Sequence, residues 1–271
     1  LLVLLDSFNQ NPHEALQILE GIQEKAAEIG AQVLLNFFNQ VKYDSASLLG
    51  RYQAQEFQGI LHLERYEPQV QEELLAAGLP SLVANNERAE PCAGISINYR
   101  AVGRLAGRHL VEAGHREIAM LGGKRSQHIY TEMLAGLKGA LAEDDIALQK
   151  SRILLIEKPD ALFTELGQLL SNNSRPTAIF TGRDHWAAAV YSCCREMKLD
   201  IPRQLSIISY DGVSWPQAEG IGLSSILEPT REIGRQSVEL LQNWVEKTSA
   251  ERSRVLSVKL CKRNSVKKIE Q

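Results

Sequence analysis

The chain has 271 residues, of which 44% are apolar and 23% charged, with a net charge of −3. That is enough for one or two domains with sizeable cores and an ordinary globular composition. No apolar run approaches the ~18 residues a membrane helix needs, and a slightly acidic balance gives no global basic footprint for nucleic acid. Four cysteines occur, Cys92, Cys193, Cys194 and Cys261. The adjacent pair cannot form an ordinary disulfide and no spacing suits zinc. They are expected to be reduced, packed as small apolar residues in a cytoplasmic protein.

In chain order, Leu1 to Leu5 is predicted as a strand. It lacks the charged leader and cleavage site of a secretion signal, and is expected to begin abruptly because an upstream segment is missing. Ala15, Leu16, Leu19, Ile22 and Ala26 then recur at helical spacing up to Gly30. Strands are predicted at Val33 to Phe37, Gly59 to Leu63, Pro80 to Val83 and Gly94 to Ile97. Between them lie a weakly marked helix, Tyr43 to Ala54, and a second at Val70 to Ala77.

From the helix Ala101 to Ala113 onward the rhythm repeats. Strands are predicted at Glu117 to Leu121, Ile153 to Ile156, Thr177 to Thr181 and Leu205 to Ser209, and a last one at Val255 to Leu260. Helices are predicted at Thr131 to Ala142, Leu162 to Leu170, Trp186 to Met197 and Ile233 to Glu246. Strand followed by helix, repeated this often, predicts an α/β fold of two doubly wound parallel-sheet lobes. Ligands of such sheets bind beyond the carboxyl ends of the strands. The segments there are polar: Asp6 to Asn11, Asn85-Asn86, Lys124 to His128, Gly182-Arg183-Asp184 and Asp211 to Gln217. Asp184, immediately before an apolar helix, is expected to be a cap.

Several segments together resemble the effector domain of the LacI/GalR family of bacterial transcription regulators. They are Val102 to Ala106 with His109 to Ala119 through a Gly114-His115 turn, Leu121-Gly122-Gly123, and Pro176-Thr177-Ala178-Ile179-Phe180-Thr181 followed by Asp184. Ile201-Pro202 through Tyr210-Asp211, Leu260 and a final Arg263-Asn264-Ser265 complete the series. The matches span almost the whole chain in the right order. The resemblance implies the type I periplasmic-binding-protein-like fold, with two lobes joined by a three-crossing hinge. Residues 1–122 plus 231–249 would form the first lobe, and 123–230 plus 250–271 the second. It implies a small, sugar-like effector held between the lobes, a homodimer, and operator DNA bound only through a helix-turn-helix headpiece that this chain does not contain. A periplasmic sugar-binding protein of a transporter has the same fold and remains the alternative.

Sugar sites use carboxylates, amides and guanidinium groups beside a flat apolar wall. Asp211 falls where the family aspartate accepts bonds from effector hydroxyls or amines, and Asn85 where many members have Asp. Phe8, His13 and Trp215 are ring-bearing residues of the post-strand loops. Two departures mark this chain. The family's effector-binding arginine is replaced by Met133, and the usual Asn of its Asn-Asp pair is Arg183. Arg183 is expected either to supply the missing guanidinium or merely to pair with a surface acid, in which case the ligand is unlike a neutral sugar. Glu228 stands where the family commonly has Gln. No nucleophile elbow, metalloprotease helix or P-loop occurs, so an enzyme, a cofactor and a metal are not expected.

Overall fold

The computed structural model describes residues 1–6, 12–38, 44–63, 68–87, 92–172, 174–212 and 222–269. In chain order the elements begin β1 (Leu2–Asp6), α1 (Pro12–Glu28), β2 (Leu34–Phe38), α2 (Ser45–Gln53) and β3 (Ile60–Leu63). Next come α3 (Pro68–Ala76), β4 (Ser81–Asn86), β5 (Gly94–Ile97), α4 (Tyr99–Glu112), β6 (Ile118–Gly122) and α5 (His128–Ala142). Then follow β7 (Ile153–Leu155), α6 (Leu162–Ser171), β8 (Ala178–Thr181), α7 (Asp184–Glu196) and β9 (Ser206–Asp211). The chain closes with β10 (Ser224–Leu227), α8 (Thr230–Val245), β11 (Ser253–Leu256) and β12 (Lys259–Cys261).

The strands form two six-stranded sheets, ordered β11-β5-β4-β3-β1-β2 and β12-β10-β9-β8-β6-β7. Position by position the two orders are the same. All described pairings are parallel except that of β12 with β10. The expected doubly wound α/β architecture is therefore what the chain adopts. β3 and β4 are buried along their whole length, and so are β6 and β8. Helices cover both faces of such sheets, so the strands read as continuous apolar runs rather than alternating ones.

Two compact units result, Leu1–Ile97 with Pro229–Ser257, and Asn98–Glu228 with Val258–Gln271. The chain thus passes three times from one unit to the other. The boundaries differ from those implied by the resemblance. Residues 98–122 belong to the second unit, because β6 lies inside its sheet and α4 packs on α5. That helix pair approaches backbone to backbone. A Cβ on Gly103 would lie 1.8 Å from the Met133 carbonyl oxygen, and one on Gly136 1.9 Å from that of Arg100. In the first unit α1 and α8 meet in the same way, through Gly21 against Arg231 and Gly234 against Ile18.

The predicted closing strand, Val255 to Leu260, is two strands. β11 pairs with β5 in the first unit and β12 with β10 in the second. β10 itself was not legible as an apolar run, because it opens with two serines. Both hydroxyls are satisfied internally, Ser224 Oγ donating to the Arg263 carbonyl (3.2 Å) and Ser225 Oγ to Asp184 (3.2 Å). Cys193 and Cys194 pack in the second unit's core with Leu166, Val190 and Ile207. All four cysteines are unbridged.

Candidate functional site

In the second unit, β8, β9 and β10 are adjacent, and Arg183, Asp211 and Glu228 lie at or just beyond their carboxyl ends. The strand order brings these three residues together. Arg183 Nη1 donates to Asp211 Oδ1 at 2.9 Å and lies 3.8 Å from Glu228 Oε2. All three side chains are more than nine-tenths buried. Burying charge is costly unless it is paired and hydrogen-bonded. Arg183 thus sits beside Asp211, and two carboxylates hold it.

Asp184 does not cap its helix. It is the first residue of α7, the cap position being Arg183, which makes no side-chain cap bond. The Asp184 carboxylate instead receives the Gly212 amide (3.0 Å) and the Ser225 hydroxyl (3.2 Å), and the Asp184 amide donates to Asp211 Oδ2 (3.1 Å). This lattice ties together the ends of all three strands. Sequence reasoning placed Asp184 at a helix start, where Asp is ordinary, and so missed its bonds to distant strands.

Tyr210 lies beneath this cluster. The Arg183 guanidinium stands 5.8 Å from its ring centroid, and Tyr99 meets it edge-on at 6.0 Å. Its hydroxyl is fully buried and makes no hydrogen bond among the described residues. Burial first, and then the charge of Glu228, hold the phenol protonated well above its usual range. Beside the cluster Met133 is buried, and its sulfur would stand 3.6 Å from a Cβ on Gly182. The Tyr130 ring fills the space left by Gly122, Gly123 and Gly182, and its hydroxyl accepts from Trp186 Nε1 at 3.2 Å.

The first unit carries a second polar group at its strand ends. Asn85, near the end of β4, donates to Glu14 Oε1 at 2.9 Å, while exposed His13 bonds Gln17 at 3.1 Å. Gln17 also accepts from Thr230. Asn85 and Asp211 occupy equivalent strands of the two sheets, and both have positive φ, 150° and 124°. Non-glycine residues hold such conformations only where the surroundings over-determine them. Glu14 was missed because an acidic residue in a first helical turn has an ordinary structural role. Phe8 and Trp215 lie outside the described residues. Among the described residues, no group of three or more His, Cys, Asp or Glu is placed to hold a metal.

The pattern of the periplasmic binding protein-like domain family matches residues 107–266, more than half of the chain. The chain belongs to this family. The transcriptional repressor PurR of Klebsiella pneumoniae (strain 342) is 32% identical over 166 residues, covering 60% of this chain and 49% of PurR. The chain thus spans about half the length of the curated relatives it matches. Among solved structures, a LacI-family regulatory protein from Chloroflexus aggregans superposes with a TM-score of 0.85, at 24% identity over 98% of both chains. The regulator CelR in complex with cellobiose gives a TM-score of 0.80, at 23% identity over 97% of this chain and 84% of CelR. A LacI-family regulator from Enterococcus faecium with bound ribose gives 0.78, at 20% identity over the full length of both chains. These likenesses concern the fold.

Two segments that carry the sequence resemblance are structural in this periplasmic binding protein-like domain. Gly114 has φ +89°, and a Cβ there would lie 2.7 Å from the Ile269 carbonyl oxygen. His115 bonds Thr177 Oγ1 (2.9 Å) and the Lys267 carbonyl (3.1 Å). Ser265 donates through Oγ to the Ile207 carbonyl (2.6 Å) and accepts from the Ser224 amide (2.7 Å). The Gly-His turn and the Arg-x-Ser ending therefore clasp the final segment onto the second sheet.

Proposed function

We propose that this chain is the effector-sensing domain of a LacI/GalR-type transcription regulator, and that its effector is a small, hydroxyl-rich molecule such as a sugar. The observation that carries the reading is the buried Arg183–Asp211–Glu228 lattice at adjacent strand ends, where a doubly wound sheet places its ligands. The repressor and regulator relatives supply the class, and the neighbours solved with cellobiose and ribose supply the sugar. Asp211 accepts from effector hydroxyls, Arg183 donates, and Met133 gives an apolar wall. Asn85, His13, Phe8 and Trp215 are carried from the sequence as further candidate effector contacts.

Binding has to favour one state of the domain over another to change operator affinity, with coupling of ~1 to 3 kcal/mol in typical cases. DNA is bound through a headpiece, in a cytoplasmic homodimer with no catalytic role. In the first unit, outer strand β2 exposes Leu35 (43%) and Phe37 (54%) at alternate positions, an apolar edge suited to a second copy. A thermal-shift screen of sugars, nucleosides and sugar phosphates tests the reading. A true effector at a hundred times its Kd stabilises by ~2.7 kcal/mol. A chain indifferent to every one of them is not a sensor of this class.

A further inference from the structure

At the ends of β8, β9 and β10 the described side chains include three carboxylates, Asp184, Asp211 and Glu228, and a single guanidinium, Arg183. Along the sheet, Lys259 of β12 stands opposite Leu227, and Lys124 and Arg125 follow β6 on the far side of β8; all three are exposed. The cluster is thus rich in acceptors and negative. A second observation is independent of that charge. The Tyr210 hydroxyl, fully buried under Arg183 and within the field of Glu228 and Asp211, is a donor without an acceptor among the described residues.

These features select among ligand groups. A hydroxyl both donates and accepts, so it can receive a bond from Tyr210 or Arg183 while giving its own proton to a carboxylate. An ammonium gives protons to several carboxylates and gains from their charge. A phosphate or carboxylate only accepts, and would bring a further negative charge against three carboxylates of which Arg183 offsets one, in a place with little water to screen them. A glutamine at position 228 would remove one of those charges without changing the side chain's length.

Resting on the effector reading above, we infer that the effector presents hydroxyl or ammonium donors to this wall and no anionic group, and that Glu228 sets the exclusion. The chemical class is therefore a neutral or amino sugar, or a similar polyol, rather than a sugar phosphate, sugar acid or nucleotide.

Calorimetric titration of the purified chain with matched probes tests this: ribose and ribose 5-phosphate, then glucose, glucosamine, glucose 6-phosphate and glucuronate. Binding is expected from neutral or amino members only, with each anionic derivative at least ~tenfold weaker than its parent. In Glu228→Gln, that ratio should shrink at least ~threefold while the neutral ligand still binds. Tyr210→Phe, which keeps the ring, should weaken the neutral ligand by ~threefold or more. An anionic probe binding the wild type more tightly than its parent overturns the inference and leaves the sensor reading intact. An unchanged ratio in Glu228→Gln overturns the role of Glu228. If Glu228→Gln does not fold, the wild-type ratio and Tyr210→Phe decide. Binding by none of the probes overturns the sugar reading itself.

Discussion

Arg183 and Asp211, one just past the end of β8 and the other at the end of β9, are joined by a 2.9 Å charge-assisted hydrogen bond in which neither side chain has much contact with solvent. The guanidinium expected to serve the ligand is thus also part of the domain's own framework. Its removal should act on folding and on binding together.

Arg183→Met leaves Asp211 and Glu228 buried without their shared cation. Breaking such a group by removing one partner costs about 3 to 5 kcal/mol. Urea denaturation should show a loss of this order, and effector affinity should fall at least ~tenfold. Adding Glu228→Gln to the same protein should restore part of the stability, since one of the stranded charges is then gone. A single variant as stable as the wild type would show that the lattice is better solvated than its burial implies.

Two glycines of α5 make a paired test of helix packing. Gly136→Ala places a methyl 1.9 Å from the Arg100 carbonyl oxygen and must push α4 and α5 apart, at a cost of about 2 kcal/mol or more. Gly139→Ala meets nothing within 4 Å and should be neutral or stabilising by up to ~1 kcal/mol, through helix propensity. Thermal melts should fall for Gly136→Ala and stay level or rise for Gly139→Ala.

His62 makes stability depend on pH. Burial pushes its imidazole down to about 4 from an ordinary 6.5, and it bonds Ser81 Oγ at 2.7 Å. The unfolded chain therefore takes up a proton at a higher pH than the folded one. The contribution is fully present above pH 6.5 and is lost as pH falls from there towards 4, by about 3 kcal/mol in total. Denaturation series between those limits should be steeper for the wild type than for His62→Gln. Equal slopes would assign the pH dependence to other groups, such as His115, which burial shifts in the same direction.

Replacing Phe37 and Leu35 with Glu should convert the proposed dimer to monomer in sedimentation experiments at micromolar concentration. Both side chains are well exposed, so folding stability should change by less than ~1 kcal/mol. A wild type that sediments as a monomer removes the homodimer from the proposal.

The isolated chain should show no sequence-specific binding to duplex DNA, given its net charge of −3 and the lack of any recognition-helix motif in the sequence. Tight, salt-resistant binding to one duplex in an anisotropy titration would contradict this.

The sequence by itself determined the architecture. Buried parallel strands must be apolar along their whole length, so Ile60 to Leu63 or Ile118 to Gly122 are visible without coordinates, and the alternation with helices fixes the class. The strand ends, and with them Arg183, Asp211 and Asn85, follow from the same pattern. What only the tertiary structure decided is who meets whom. β10 was hidden because its serines are satisfied by Arg263 and Asp184, residues about forty positions away. The segment 253–261 divides between two sheets because β11 and β12 find different partners, which is a matter of pairing rather than composition. Asp184 became a tie between strands, and Arg183 a shared cation, for the same reason. Local pattern records whether a side chain must be buried, but the partner that makes burying a charge tolerable is supplied by distant parts of the chain.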